Sequence, residues 1–333
     1  MTEIFRYIQL SDLHLCVEDS RHNVHSLHRR NLRTFLDTNS QAGRQRLEKG
    51  WLSLLKPASY APKIVNGAAR FCFRYKAIID GIIITGDLAT TGRVIDLQVA
   101  EKFVAAPSVV GAHIDQQTAT IGSVARPIHL FPGNHDRYVN DAGTPNSPNF
   151  QLKFLRYMDH FDPKDGVGYW IKRKNMQRIA FVYADYTLQS RHDASSPLNA
   201  YGQGRVYSNT LSATELLTRA IQNRYSNTSI VWLIHFAPFD CGRTLELIDW
   251  TMITQAAQRL GVIATLCGHT HDPLKISSGL HTIYCAGSAG CIDREYDSNI
   301  HMFEFEIGRY IVIRRRNFTW SNRDQDFVEV RPD

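Results

Sequence analysis

Apolar residues along this chain fall into two rhythms: short uninterrupted runs and longer stretches with helical spacing. Phe5 to Leu10, Ile78 to Ile84, Pro127 to Phe131, Ile230 to Ile234 and Val262 to Leu266 are of the first kind. Such runs predict strands covered on both faces. Helices are predicted between them. Val94 to Val104 is one, and Phe150, Phe154, Leu155 and Met158 share a face of another. Ser212-x-x-Glu215 has the form of a capping box, opening a helix with Leu216, Leu217, Ala220 and Ile221 inward. Leu245, Ile248, Met252, Ile253, Ala256 and Leu260 form a further stripe, with Gly261 where a helix C-cap belongs. Later the pattern turns to strands: His281 to Cys285, Ile300 to Ile307, Tyr310 to Trp320 and Phe327 to Arg331. Strands alternating with helices, followed by a run of strands, predict an α/β fold of two packed sheets flanked by helices.

Residues 20–76 interrupt this rhythm. Val24, Leu27, Phe35 and Leu36 fit one helix face, and Leu47, Trp51, Leu54 and Leu55 fit another that ends at Pro57. The net charge of +6 is concentrated here: between Arg21 and Lys76 stand twelve lysines and arginines against Asp37 and Glu48 alone. A basic segment of this kind points to an anionic partner or substrate. For the Trp51 stripe, docking onto the protein's own core or onto a second subunit in a homodimer is the expectation, ahead of peripheral contact with an anionic membrane surface. His22, His25 and His28 are read as a solvated helix face. The expected organisation is one domain over residues 1–333 with a basic helical insertion at about 20–76. The six cysteines show no metal-binding or small-domain disulfide spacing. The first residues lack a secretory apolar core, so a cytoplasmic setting is expected.

The chemistry lies at the ends of the apolar runs. Asp12-x-His14, Gly86-Asp87, Gly133-Asn134-His135-Asp136, His235 and Gly268-His269-Thr270-His271 each contain a metal ligand, and four of the clusters directly follow a predicted strand. Side chains at neighbouring strand ends can converge. The economical reading is a two-metal site that attacks a phosphate ester, with the ions ~3.5–4 Å apart, clamping the phosphoryl oxygens and generating a hydroxide near neutral pH. Asp87 suits the bridge, giving one oxygen to each metal. Asp12 and His14, and likewise His269 and His271, lie on a common side of an extended turn. Asn134 offers a neutral oxygen and His235 a nitrogen. His135 is then spare, placed as general acid for the leaving oxygen, with an outer-shell structural role as the alternative. Asp136 is positioned to hold its ring in one tautomer. Arg137 and Tyr138 are read as loop packing ahead of substrate contact, Cys267 as a small buried residue, and Arg205 as either a phosphate contact or a plain loop residue.

The ordered set D-x-H, G-D, G-N-H-D, H-x-x-P (His235 to Pro238) and G-H-x-H resembles the calcineurin-like metallophosphoesterase superfamily over roughly residues 4–290. The resemblance implies a four-layer αββα sandwich with two mixed β-sheets. It places Asp12, His14, Asp87 and His271 on one metal and Asp87, Asn134, His235 and His269 on the other, with His135 assisting the leaving group. It implies two divalent ions from among Mn, Fe, Zn, Ni and Co, with Mn and Fe favoured. The G-N-H-D element is similar to class III cyclic-nucleotide phosphodiesterases. Leu88-Ala89-Thr90-Thr91-Gly92 lacks the Asp-Arg-Gly continuation typical of Ser/Thr protein phosphatases. The expected activity is hydrolysis of a small phosphodiester: a cyclic nucleotide, a glycerophosphodiester or a nucleotide-linked lipid. A nuclease ranks second, because no run of aromatics for base stacking is evident. A phosphomonoesterase is a further alternative, and a non-enzymic scaffold ranks last.

Overall fold

The computed structural model describes residues 2–16, 61–105, 120–137, 148–187, 203–241, 245–290, 297–309 and 311–330. Each predicted apolar run contains a strand: β1 (Glu3–Leu10), β2 (Gly81–Thr85), β3 (Ile128–Phe131), β7 (Thr228–Leu233) and β9 (Ala264–Cys267). β2 and β9 are buried along their whole length. Two six-stranded mixed sheets result. The first runs β14 (Asp326–Val330), β13 (Ile311–Ser321), β12 (Asn299–Ile307), β1, β2, β3. The second runs β10 (Lys275–Ser278), β11 (His281–Cys285), β9, β7, β5 (Gln177–Ala184), β4 (Val167–Lys174). In the first sheet β1, β2 and β3 are mutually parallel, and in the second β5, β7, β9 and β11 are. The exits of the parallel strands therefore gather at one end of each sheet, where α/β folds place their sites.

Aromatic side chains fill the space between the sheets. Phe181 of β5 meets Tyr7 of β1 at 4.7 Å and Phe305 of β12 at 5.8 Å, and Tyr284 of β11 meets Phe303 of β12 at 5.1 Å. One polar group crosses this layer beneath the site. The buried Gln9 amide donates to the Thr85 hydroxyl (3.0 Å) and to the Cys267 carbonyl (2.9 Å), joining β1 to both β2 and β9.

Helices cover the outer faces. Helix α1 (Pro62–Tyr75) buries Ile64, Val65, Ala68, Ala69, Phe71 and Cys72 against the first sheet. α2 (Val94–Val104) matches its predicted span, and α3 (Asn149–Phe154) buries Phe150 and Phe154. α4 (Ser208–Arg224) and α5 (Trp250–Arg259) lie over the second sheet, where the Trp232 indole donates to the Thr218 hydroxyl. Among the described residues, no helix is long and apolar enough to cross a membrane.

Several expectations are corrected. α4 begins a turn before the capping box, and Glu215 pairs with Arg259 of α5 instead of closing a cap. Its inward residues are Thr210, Leu211, Thr214, Thr218 and Ile221, while Leu216 and Ala220 are exposed. The stripe before α5 is not helical throughout: β8 (Leu247–Ile248) pairs with β6 (Gly204–Arg205), and Asp249 in left-handed conformation separates strand from helix. Gly261 does end α5 at φ +65. The β4–β5 hairpin was not foreseen.

The end of the basic stretch is a core helix, α1, standing between β1 and β2. Three of its cations are engaged by the β13–β14 turn: Arg70 donates to the Gln325 carbonyl, Arg74 pairs with Asp326, and Lys63 donates to Asn322. These charges serve packing. Lys76 caps the end of α1 and lies over the Phe73 ring, and the basic residues from Arg21 to Lys56, with His22, His25, His28 and the Trp51 stripe, lie outside the described residues.

Gly67 of α1 sits directly on the buried Trp320 ring, and a Cβ there would collide with Cζ3, Cε3 and Cη2. Helix propensity favours alanine over glycine by about 1 kcal/mol, whereas overpacking costs typically about 1–3 kcal/mol. Gly67→Ala should therefore lower stability in urea unfolding by up to about 2 kcal/mol. A rise in stability would mean the α1–β13 contact is loose.

Candidate metal centre

The turns leaving β1, β2, β3, β7 and β9 carry every predicted ligand and lie edge to edge. The Asp12 and His14 amides donate to the carbonyls of Gly86 (3.1 Å) and Asp87 (3.0 Å), so the exits of β1 and β2 are zipped together. Glycines let the turns approach. A Cβ on Gly86, itself at φ +92, would strike the His235 ring, and one on Gly133 would strike the Asp87 carboxylate. Five ligand candidates hold left-handed backbone: Asp12, His14, Asp87, His269 and His271, with φ between +49 and +76. Each such residue costs of order 1–3 kcal/mol. Strain concentrated in this way is a mark of a functional site.

The side chains form two adjoining groups. In one, His14 Nε2 and His271 Nε2 face each other at 3.2 Å, and His271 Nε2 is 3.5 Å from Asp12 Oδ1. In the other, His235 Nε2 lies 2.9 Å from Asn134 Oδ1, 3.3 Å from Asp87 Oδ2 and 3.3 Å from His269 Nδ1. Asp87 Oδ2 belongs to both, being also 4.0 Å from His14 Nε2. Asp87 Oδ1 accepts the His135 amide at 2.8 Å. Asp87 Oδ2 is thus the carboxylate oxygen common to the two groups.

The donor set fits divalent cations. His235 Nδ1 donates to the Thr85 carbonyl at 2.8 Å, which leaves a lone pair on Nε2 of the neutral ring. That lone pair faces two oxygens and another ring nitrogen, all buried. Asp12 Oδ1 is fully buried and accepts no hydrogen bond. Converging acceptors of this kind call for a positive charge, and mixed imidazole and carboxylate ligation suits the first-row metals. Three sets have ligand atoms within 4.8 Å of one another: Asp12, His14 and His271; Asp87, His235 and His269; and His14, Asp87 and His135, so His135 borders the centre.

The electrostatics agree. Burial pushes the Asp12 carboxyl up, but the His271 ring and the His235 charge bring it down to about 2. Burial also opposes ionisation of Asp87, yet His235 and His135 hold it well below the usual carboxylate range. Burial, then the charge of His135, takes His14 down to about 3, and burial, then the charge of His235, does the same for His269. His235 is the exception: burial opposes its charge, but Asp87 more than offsets this and raises it to about 9.

His135 stands half-buried beside the group, its ring 4.7 Å from that of His14. Its Nδ1 donates to the Thr90 carbonyl at 3.0 Å, which makes Nε2 the other nitrogen of the ring, turned from that carbonyl. Asp136 does not hold this ring, contrary to the sequence expectation. Its buried carboxylate accepts the amides of Ala89 (2.8 Å), Gly133 (2.9 Å) and Leu88 (3.2 Å), fastening the turn to the exit of β2. Burial and the neighbouring Asp87 push Asp136 up to about 7 despite these donors. Arg137 packs as expected, buried and paired with Asp185. Cys267 is buried, and Arg205 lies in β6. Tyr138 lies outside the described residues.

Sequence reasoning missed two supports. The Thr85 and Thr90 carbonyls orient His235 and His135, and a backbone carbonyl leaves no mark in residue type. Ser288 donates to the Asp12 carbonyl at 2.6 Å, and the Ala289 amide donates to that of Ser11. The signal for this second support was the small-residue run Ala286-Gly287-Ser288-Ala289-Gly290.

Comparison with known proteins agrees with this geometry. The family model for calcineurin-like phosphoesterases matches residues 5–273. No curated protein matches. Among solved structures, a dimetal phosphatase from Danio rerio is similar with TM-score 0.56 at 11% identity, covering 95% of this chain and 99% of that one. GAP50, the anchor in the inner membrane complex of Plasmodium, is similar with TM-score 0.53 at 10% identity, covering 95% and 84%. A putative 5'-nucleotidase from Staphylococcus aureus is similar with TM-score 0.51 at 12% identity, covering 99% of this chain but 55% of its own length. At such identities the structural likeness concerns the fold. The family match spans most of the chain, and the chain belongs to the calcineurin-like phosphoesterases, which makes it a metal-dependent phosphoric ester hydrolase.

Proposed function

We propose that this chain hydrolyses a small phosphodiester at a dinuclear metal centre, as class III cyclic-nucleotide phosphodiesterases and related diesterases do. The observation that carries the reading is the pair of ligand groups meeting at one carboxylate oxygen, Asp87 Oδ2. Asp12, His14 and His271 would hold one ion, Asn134, His235 and His269 the other, and Asp87 both. When bound, the ions supply Lewis-acid charge for the phosphoryl group and lower the pKa of an attacking water.

The remaining work falls to His135. As the bond from phosphorus to the leaving oxygen breaks, its electron pair goes to that oxygen, and His135 Nε2 delivers the proton. Delivery requires the imidazolium form of His135; the Thr90 carbonyl accepts from Nδ1, so giving up the Nε2 proton leaves the neutral Nδ1–H tautomer. A diester is favoured over a monoester because Arg137, the cation nearest in sequence to His135, is committed to Asp185 and is not directed at a second phosphate charge. The substrate class is a cyclic nucleotide, a glycerophosphodiester or a nucleotide-linked lipid. A phosphomonoester is the competing reading, in line with the names of the Danio rerio and Staphylococcus aureus proteins.

With Mn²⁺ loaded, bis-p-nitrophenyl phosphate should be hydrolysed in preference to p-nitrophenyl phosphate. His135→Ala should keep its metal and lose about 10²–10⁴-fold in turnover of diesters with poor leaving groups. Preference for the monoester would overturn the diesterase reading. Asp87→Ala should fold and fail to retain two ions, and full metal content in that variant would remove Asp87 as the bridge.

Metal uptake should also release a proton. His235 is protonated below about pH 9 and must be neutral to ligate. Apparent metal affinity should therefore fall as pH drops below 9. Calorimetry at pH 7 in buffers of different ionisation enthalpy should find net proton release on binding, a component of which disappears in His235→Asn. Binding without proton release would contradict the assignment of His235.

A further inference from the structure

The turn that carries Asn134 and His135 is fastened twice, and the second fastening has no part in the chemistry described so far. Asp136 binds it to the exit of β2 within the first sheet. Arg137, next along the same turn, binds it to the second sheet. Its guanidinium is buried and pairs with the fully buried Asp185 carboxylate just past the end of β5. Arg137 Nε donates to the Thr187 hydroxyl at 3.1 Å, and Nη1 donates to the Gln151 side chain of α3 at 2.7 Å. The Thr187 hydroxyl and amide in turn donate to Asp185 Oδ1, at 2.5 and 2.9 Å. The Asp185 amide is held by the Gly166 carbonyl at 2.8 Å. The Arg137 amide closes the turn on the Asn134 carbonyl at 3.1 Å.

We infer that Arg137 and Asp185 form a positioning clamp that sets the reach of His135 across the cleft between the sheets. The inference rests on the role of His135 as proton donor given above. A planar guanidinium with three separate acceptors fixes direction as well as distance, which a lysine ammonium does not. The His135 amide is held by Asp87 Oδ1 and its Nδ1 by the Thr90 carbonyl, so the orientation of Nε2 depends on the backbone turn that carries them. One face of that turn is set by Asp136 and the other by Arg137. Misplacement of a proton donor by about 1 Å is costly even when every reacting group is present.

Leaving-group dependence separates positioning from a general structural role. A phenolate leaving group needs a proton far more than a nitrophenolate does. Turnover of a phenyl and a p-nitrophenyl phosphodiester is measured for the wild type, His135→Ala, Arg137→Lys and Asp185→Asn, each Mn²⁺-loaded, with metal content determined in parallel. Both clamp variants should lose about 10-fold in kcat on the phenyl ester and little on the nitrophenyl ester, with KM and metal content unchanged, in the same direction as His135→Ala. In the metal-free proteins the His135 Nδ1–H proton, sheltered by Thr90, should exchange faster in both clamp variants than in the wild type. Equal losses on the two esters, a fall in metal content, or unchanged exchange would each overturn the clamp. If His135→Ala itself loses equally on both esters, the proton-donor reading fails first and the clamp falls with it. If Arg137→Lys does not fold, Asp185→Asn, which keeps shape and hydrogen-bonding capacity, decides the question alone.

Discussion

Asp87 is a carboxylate buried to 1% exposure with imidazoles on two sides, and the strand order of both sheets is what brings them there. Desolvation alone would keep this group neutral. It stays ionised because His235 and His135 supply the opposing potential and because its second oxygen takes a backbone amide. Neither histidine is near Asp87 in sequence. Each arrives at the end of a different parallel strand, β7 and β3, one from each sheet. The sandwich is therefore a device for joining the exits of strands from two sheets at one anionic point, and the Gln9 bridge between β1, β2 and β9 holds that joint from below.

The joint is assembled at a cost to the free chain. Five residues stand in left-handed backbone, and several acceptors face one another across the centre. The proton on His235 partly relieves this, since a charged ring can donate to Asn134 and Asp87 where a neutral one presents only a lone pair. A divalent ion relieves it more completely by meeting both groups at once. Metal binding and stability are in this sense one quantity. The neighbouring carboxylate Asp136 shows the contrast. It receives three amides, but burial opposes its charge and Asp87 repels it, so it drifts towards neutrality where Asp87 and Asp12 do not.

That the candidate ligands converge was legible in the sequence because they follow strands that announce themselves as apolar runs. α2 and Gly261 were legible for similar local reasons. What was not legible depends on contacts distant in the chain. Glu215 looked like a cap and is an ion-pair partner of Arg259. Leu247 and Ile248 looked helical and pair with β6. Asp136 looked like a partner for His135 because it is adjacent, yet the amides it satisfies belong to Leu88, Ala89 and Gly133, and the ring is held by a carbonyl. α1 was hidden inside a basic stretch, since cations that engage the β13–β14 turn cannot be told from cations awaiting a partner.

The most direct measurement is a crystal structure of the Mn²⁺-loaded protein with anomalous scattering used to locate the metal. The account predicts two peaks ~3.5–4 Å apart, both in contact with the Asp87 carboxylate, one bounded by Asp12, His14 and His271 and the other by Asn134, His235 and His269. A single peak, or two peaks that do not share Asp87, would contradict it.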